Sequence, residues 1–281
     1  MNCNVIFTAC CEKEGLALGK RVLLPALALL GGGVGFCLRK WQWLSAYDRK
    51  TELFVDGAVA TYALLGLLAV LAVAILLSII KPAREEIILP PACPEVLYMC
   101  LMAAGGFAFM GAGLLGLLEG MDLLEQYRAG MAMMASYPGA LLLCGGLSLV
   151  SGVCTLVVGK AACRPGTVPG AGLCAAIPPF AMLAWLFATH QAHATDPILM
   201  RYGIYLAAAA LLVVAHYDVA AFYQNCRHPR RFLFCALMGT VLAITALADG
   251  LTMFQMAMAA ACTLSGLGQC YALLTPADPE H

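Results

Sequence analysis

The chain is 281 residues long, 62% hydrophobic and only 11% charged, with a mean hydropathy of +0.87. A soluble domain carries roughly a quarter charged residues, so a water-soluble fold is excluded. Its 16 basic and 16 acidic side chains cancel to a pI near 6.9, leaving no basic surface to neutralise phosphates and no place for a nucleic-acid partner. The partner this composition demands is a lipid bilayer.

A helix needs about 20 apolar residues to cross a hydrocarbon core about 30 Å thick. Eight segments reach that length: 20–38, 57–80, 96–118, 138–158, 173–189, 202–223, 232–248 and 252–273. The chain therefore reads as an all-α polytopic bundle, a single integral membrane domain over residues 1–281, with no soluble domain between spans.

The first span follows Lys20 and Arg21 and carries Pro25, then Gly31, Gly32, Gly33 and Gly35. A secretory signal is the competing reading, but Leu38 and Arg39 beside Cys37 make a poor cleavage site. Trp41, Trp43 and Tyr47 after it read as an interfacial aromatic belt, and Asp48, Glu52 and Asp56 as an acidic turn. Beyond the second span, Glu85-Glu86 resembles the opening of an intramembrane-protease motif, but Pro90 stands where arginine is required. In the third, Ala104, Ala108, Ala112 and Gly116 recur every four residues as a small-residue seam; Glu119, Asp122 and Glu125 follow it as a second acidic turn.

The fifth span is short and contains Pro178-Pro179; proline removes a backbone donor and clashes with the preceding turn, so a kink or break is expected there. At its end His190 and His193, spaced i, i+3, stand near Asp196 in a pattern that nitrogen and oxygen ligands of a divalent ion could use. No third firm ligand is identifiable, so a solvated loop is the better reading and no metal is assigned. In the sixth, His216 and Asp218 are the polar residues inside apolar sequence. An ionised aspartate at the bilayer centre costs about 2.5–3.5 kcal/mol on insertion scales, so such a group faces a cavity or a partner. The i, i+2 spacing points the two side chains to different helix faces. Haem ligation by His190 and His216 fails, because the two lie near opposite membrane faces. Ala257, Ala261 and Ser265 give the eighth span another small-residue seam, for internal packing or for a homo-oligomer.

An even number of spans puts both termini on one side. That side carries Lys13, Lys20, Arg21, Lys81, Arg84, Lys160, Arg164, Arg227, Arg230 and Arg231; the other carries Arg39, Lys40, Arg49, Lys50, Arg128 and Arg201. The positive-inside bias places the termini in the cytoplasm of a cell-membrane protein, although the first loop, with four of the opposing charges, argues the other way. The proposed outer loops hold no cysteine, which agrees with that orientation. An acidic turn, a span and a basic Pro-containing turn recur near Asp48 to Pro82 and Asp196 to Pro229, suggesting two parallel four-helix halves at 20–160 and 170–274.

No metalloprotease, nucleophile-elbow or Walker signature occurs, so the reading leans away from an enzyme and implies no cofactor. Interrupted first and fifth spans opening two halves point instead to a transport site. The first functional reading is thus a small-solute or ion transporter of permease type, with His216, Asp218, Pro178, Pro179, Pro25 and Gly32 near its pathway. The second is a non-catalytic membrane scaffold or accessory subunit of a partner complex.

Overall fold

In hydrocarbon no water satisfies a backbone amide, so each apolar segment must close its hydrogen bonds on itself as a helix. The computed structural model describes residues 3–48, 50–51, 53–80, 91–131, 134–164, 168–194, 198–226 and 228–275, with residues 3–20 described by backbone alone. They form α1 (Cys3–Ser45), β1 (Tyr47–Asp48), β2 (Leu53–Phe54), α2 (Val59–Ile80), α3 (Val96–Arg128), α4 (Ser136–Cys163), α5 (Ala171–Ala192), α6 (Leu199–Phe222), α7 (Pro229–Ala246) and α8 (Met253–Leu274). All eight helices are long and apolar enough to span a membrane, and the protein is a multi-span integral membrane protein.

Several boundaries differ from the hydropathy reading. α1 is 43 residues long and starts well before its apolar stretch; its spanning part is Arg21–Ser45. α3 continues to Arg128, so Glu119, Asp122 and Glu125 ride on helix and not on a turn. A hydropathy window ends where polar residues begin, whereas a helix continues as long as its backbone bonds are favourable.

The expected break in α5 does not occur: one helix runs through both prolines. α1 likewise passes unbroken through Pro25 and its glycines. Packing explains both. α5 is held between α4 and α6, where the indole N–H of buried Trp185 donates to the Tyr205 hydroxyl at 2.7 Å. The α1 glycines are approach points: a Cβ at Gly31 would stand 2.8 Å from Leu71 of α2, and one at Gly32 would stand 2.8 Å from Ile244 of α7.

Helices α3, α4, α5, α6, α7 and α8 pack in that cyclic order, α8 returning to α3, as a six-helix ring. The hairpin α1–α2 lies outside it, against α7. Burial follows this plan, with 78% of the α7 core window enclosed and only 22% of the α2 window. The halves expected at 20–160 and 170–274 therefore pack differently: α5 to α8 are all ring members, whereas α1 and α2 are not.

Glycine brings the backbones of α3, α4 and α8 close together. A Cβ on Gly152 of α4 would stand 2.6 Å from the Gly106 carbonyl of α3, and one on Gly105 would stand 2.9 Å from the Ser265 amide of α8. Of the seam expected at Ala104, Ala108, Ala112 and Gly116, Ala112 and Gly116 are buried and Ala108 is half-buried, whereas Ala104 is exposed and Gly105 and Gly106 take the contact at that level. The smallest side chain wins the contact because backbone proximity, not apolar area, holds helices together in lipid. Gly152→Val should destabilise the protein by about 1–3 kcal/mol through overpacking. A clear drop in the thermal midpoint of the solubilised protein would show it, against Gly66→Ala, where nothing lies within 4 Å and the midpoint should hold or rise slightly.

Candidate functional site

α6 carries His216 six residues before its end at Phe222, about 9 Å into the helix at 1.5 Å per residue. The imidazole is buried. Its Nδ1 lies 3.0 Å from the Leu212 carbonyl one turn back, and its Nε2 lies 2.9 Å from Ser265 Oγ across the ring on α8. Ser265 Oγ also sits 2.7 Å from the Ala261 carbonyl. A carbonyl only accepts, so the proton of the neutral ring belongs on Nδ1 and leaves Nε2 open toward the serine.

His216 and Ser265 border a cavity of about 20 Å³, enough for a water molecule and too small for an organic solute. Met102 of α3, Thr155 and Val158 of α4, Ala175 and Pro178 of α5, Val219 of α6 and Gln269 of α8 complete the wall. Gln269 donates to the Tyr98 hydroxyl at 3.3 Å and reaches Met102 Sδ at 3.6 Å. Pro178 and Pro179 have no N–H, so the carbonyls of Cys174 and Ala175 lack their usual donors four residues on. Ala175 is itself a wall residue. Two of the residues singled out in the sequence, His216 and Pro178, are thus brought to one cavity, with Pro179 next to it.

Asp218 is not part of it. Its side chain is fully buried, and Arg231 of α7 donates from Nε to Oδ2 at 2.9 Å and to Oδ1 at 3.2 Å, with a further short contact from Nη2. The pair staples α6 to α7 beside the turn that joins them, and Arg231 remains 46% exposed. Pro25 and Gly32 stand on α1 outside the ring. His190 is exposed, and His193 stacks on Tyr202 with centroids 4.5 Å apart. Asp196 lies outside the described residues. No group of three His, Cys, Asp or Glu could hold a metal among the described residues.

The strongest polar cluster was invisible in the sequence. Arg39 is 1% exposed at the far end of α1. Its Nε donates to Asp249 Oδ1 at 2.6 Å, Nη1 to Gln42 at 2.7 Å and Nη2 to the Met200 carbonyl at 2.8 Å. Trp43 Nε1 adds a bond to Asp249 Oδ1 at 2.8 Å, and Lys40 donates to the Ala248 carbonyl at 2.9 Å. Asp249 Oδ2 is buried with no partner among the described residues. These bonds join α1 to the start of α6 and the end of α7. The only sequence signal was four cationic residues where the charge bias wanted few.

At the opposite end Arg21 donates to Glu95 at 2.5 Å and lies 5.3 Å over the Tyr271 ring, and the Tyr271 hydroxyl donates to the same carboxylate. Outside the spans, the Lys50 amide and the Thr51 hydroxyl hold the Asp48 carboxyl below its usual range. Burial pushes the Cys93 thiol up and the Tyr223 phenol to about 12. No protein family, characterised protein or solved structure matches the chain.

Removing one partner of a buried ion pair strands the other charge, at a typical cost of about 3–5 kcal/mol. Asp249→Ala should therefore lower the thermal midpoint far more than Asp48→Ala, whose carboxylate serves only a local turn. Equal midpoints for the two variants in a thermal scan would refute this assignment of the Arg39 cluster.

Proposed function

We propose that the protein is a permease-type transporter of a small solute or ion, working through the six-helix ring at His216, Pro178 and Pro179. One observation carries the reading. A buried histidine with no ion-pair partner among the described residues borders a small, mostly apolar cavity, while the buried charges Asp218 and Arg39 are engaged in structural pairs. Ionisable groups at membrane depth that serve only packing are tied off; one facing a cavity is a pathway residue by default.

The cavity as it stands admits water and nothing larger, so transport requires the ring to open. α5 is the wall that yields, because Pro178 and Pro179 remove two of its backbone hydrogen bonds beside the cavity. Asp218 serves as the fixed α6–α7 staple. Pro25 and Gly32 help seat α1 and stay outside the path.

The chain sits in the cell membrane with its termini in the cytoplasm. Support comes from the charge bias, now with its main objection reduced: Arg39 and Lys40 are tied into the fold and do not act as free loop charges. An impermeant maleimide applied outside intact cells should label wild type and Cys226→Ala equally, with Cys226 reacting only after permeabilisation. Labelling of Cys226 in intact cells would invert the orientation.

The scaffold reading draws on α2, which shows most of its surface to the membrane. Native mass spectrometry of the solubilised protein separates the two. The permease reading expects a small non-lipid adduct whose occupancy falls at least tenfold in His216→Ala and in Pro178→Ala/Pro179→Ala. A polypeptide partner retained with no such adduct sinks it.

A further inference from the structure

We propose that the coupling ion is a proton, bound at His216 Nε2 with the Ser265 hydroxyl as its switch; this rests on the permease reading of the same cavity. The geometry provides for both protonation states. In the neutral ring Nδ1–H donates to the Leu212 carbonyl, so Nε2 is an acceptor. The Ser265 hydroxyl has one proton and two acceptors within reach, Nε2 at 2.9 Å and the Ala261 carbonyl at 2.7 Å. With the ring neutral, the hydroxyl donates to Nε2. When a proton arrives from water in the cavity, a new N–H bond forms at Nε2 and the hydroxyl rotates to the Ala261 carbonyl, becoming the acceptor of that N–H. No hydrogen bond is lost to the histidine in either state, and the incoming proton is the only atom added.

A site that serves transport must also release what it binds, and the surroundings favour this. Among the described residues no carboxylate is bonded to His216: Asp218, on its own helix, is held by Arg231 of α7. The titratable side chains beside the other lining residues, among those described, are weak acids. α3 contributes Tyr98, whose hydroxyl is bonded to Gln269. Cys154 on α4 and Cys174 on α5 flank the wall residues Thr155 and Ala175. On α7, Cys235 precedes Ala236, which with the His216 ring closes on Gly266 of α8, and α8 adds the buried thiols Cys262 and Cys270. The imidazolium is therefore held by two neutral oxygens, those of Leu212 and Ser265, and by the cavity.

Histidine-selective ¹⁵N spectra of the full chain in nanodiscs test this, the His216 signal being assigned by its loss in His216→Gln. From about pH 9 to about pH 3.5, a window wide enough for a perturbed histidine, Nε2 should pass from an unprotonated to a protonated shift while Nδ1 stays protonated. Ser265→Ala removes the acceptor of the charge-assisted bond, which is stronger than the neutral bond lost with it. Its midpoint should fall by about one unit, tenfold weaker proton binding. A His216 signal unchanged across the range, or the same midpoint in Ser265→Ala, overturns the proposal. The spectra need no transported solute, so a clean titration without any small adduct in native mass spectrometry would sink the permease reading and leave the proton site standing. Where the adduct is present, its occupancy should follow pH through the His216 midpoint and be flat in His216→Gln.

Discussion

The close approach of α3 to α4 and α8 at Gly105, Gly106 and Gly152 is the constraint on which the rest of the molecule depends. In lipid, burying leucine against leucine gains little, and backbones that nearly touch supply the attraction that holds helices together. This contact sets the width of the six-helix ring and brings the Ser265 backbone against α3. From there the serine side chain faces His216 of α6. A larger residue at any of the three glycines would widen the ring and loosen that pair. The small size of the cavity is a consequence of this seam, since its walls come from five helices held at the distance the glycines permit.

Polar groups divide by depth. Toward the two ends of the bundle they form dense, cross-linked clusters, Arg39 with Asp249, Gln42 and Trp43 at one end and Arg21 with Glu95 and Tyr271 at the other. Each joins helices distant in sequence, so the ends are fastened. Between them the bonds are few and mostly run from a hydroxyl to its own helix, as for Thr155 and Thr240. His216 departs from that pattern, as do the Trp185–Tyr205 and Gln269–Tyr98 pairs, and its imidazole borders the cavity. On the permease reading proposed above, this fastened frame would let the middle of the bundle change shape without the ends coming apart.

Much of the fold was legible in the chain. Hydropathy located all eight helices, and its errors at the ends of α1 and α3 came from asking where apolar residues stop rather than where backbone bonding does. His216 and Pro178 were legible as residues out of place in apolar sequence. That they share a cavity was not, and the residues that complete it, Ser265, Gln269 and Thr155, are ordinary in a membrane helix until a histidine faces them. Arg39 was misread as a loop charge because its partner Asp249 lies 210 residues away. Pro178-Pro179 reads as a kink or break; the neighbours of α5 keep it one continuous helix, and the prolines leave two carbonyls without their usual donors.

The sequence by itself determined the solvent, the number of spans and the helical state, because each follows from a local sum: about 20 residues of apolar side chain, and a backbone with no water to bond. The tertiary structure alone decided which polar residues meet. That depends on the rotation of each helix about its axis and on which neighbours it touches, and both are set by glycine contacts between segments far apart in the chain. Asp218 and His216, two residues apart, were therefore sent to different fates, one to a staple with Arg231 and the other to the cavity.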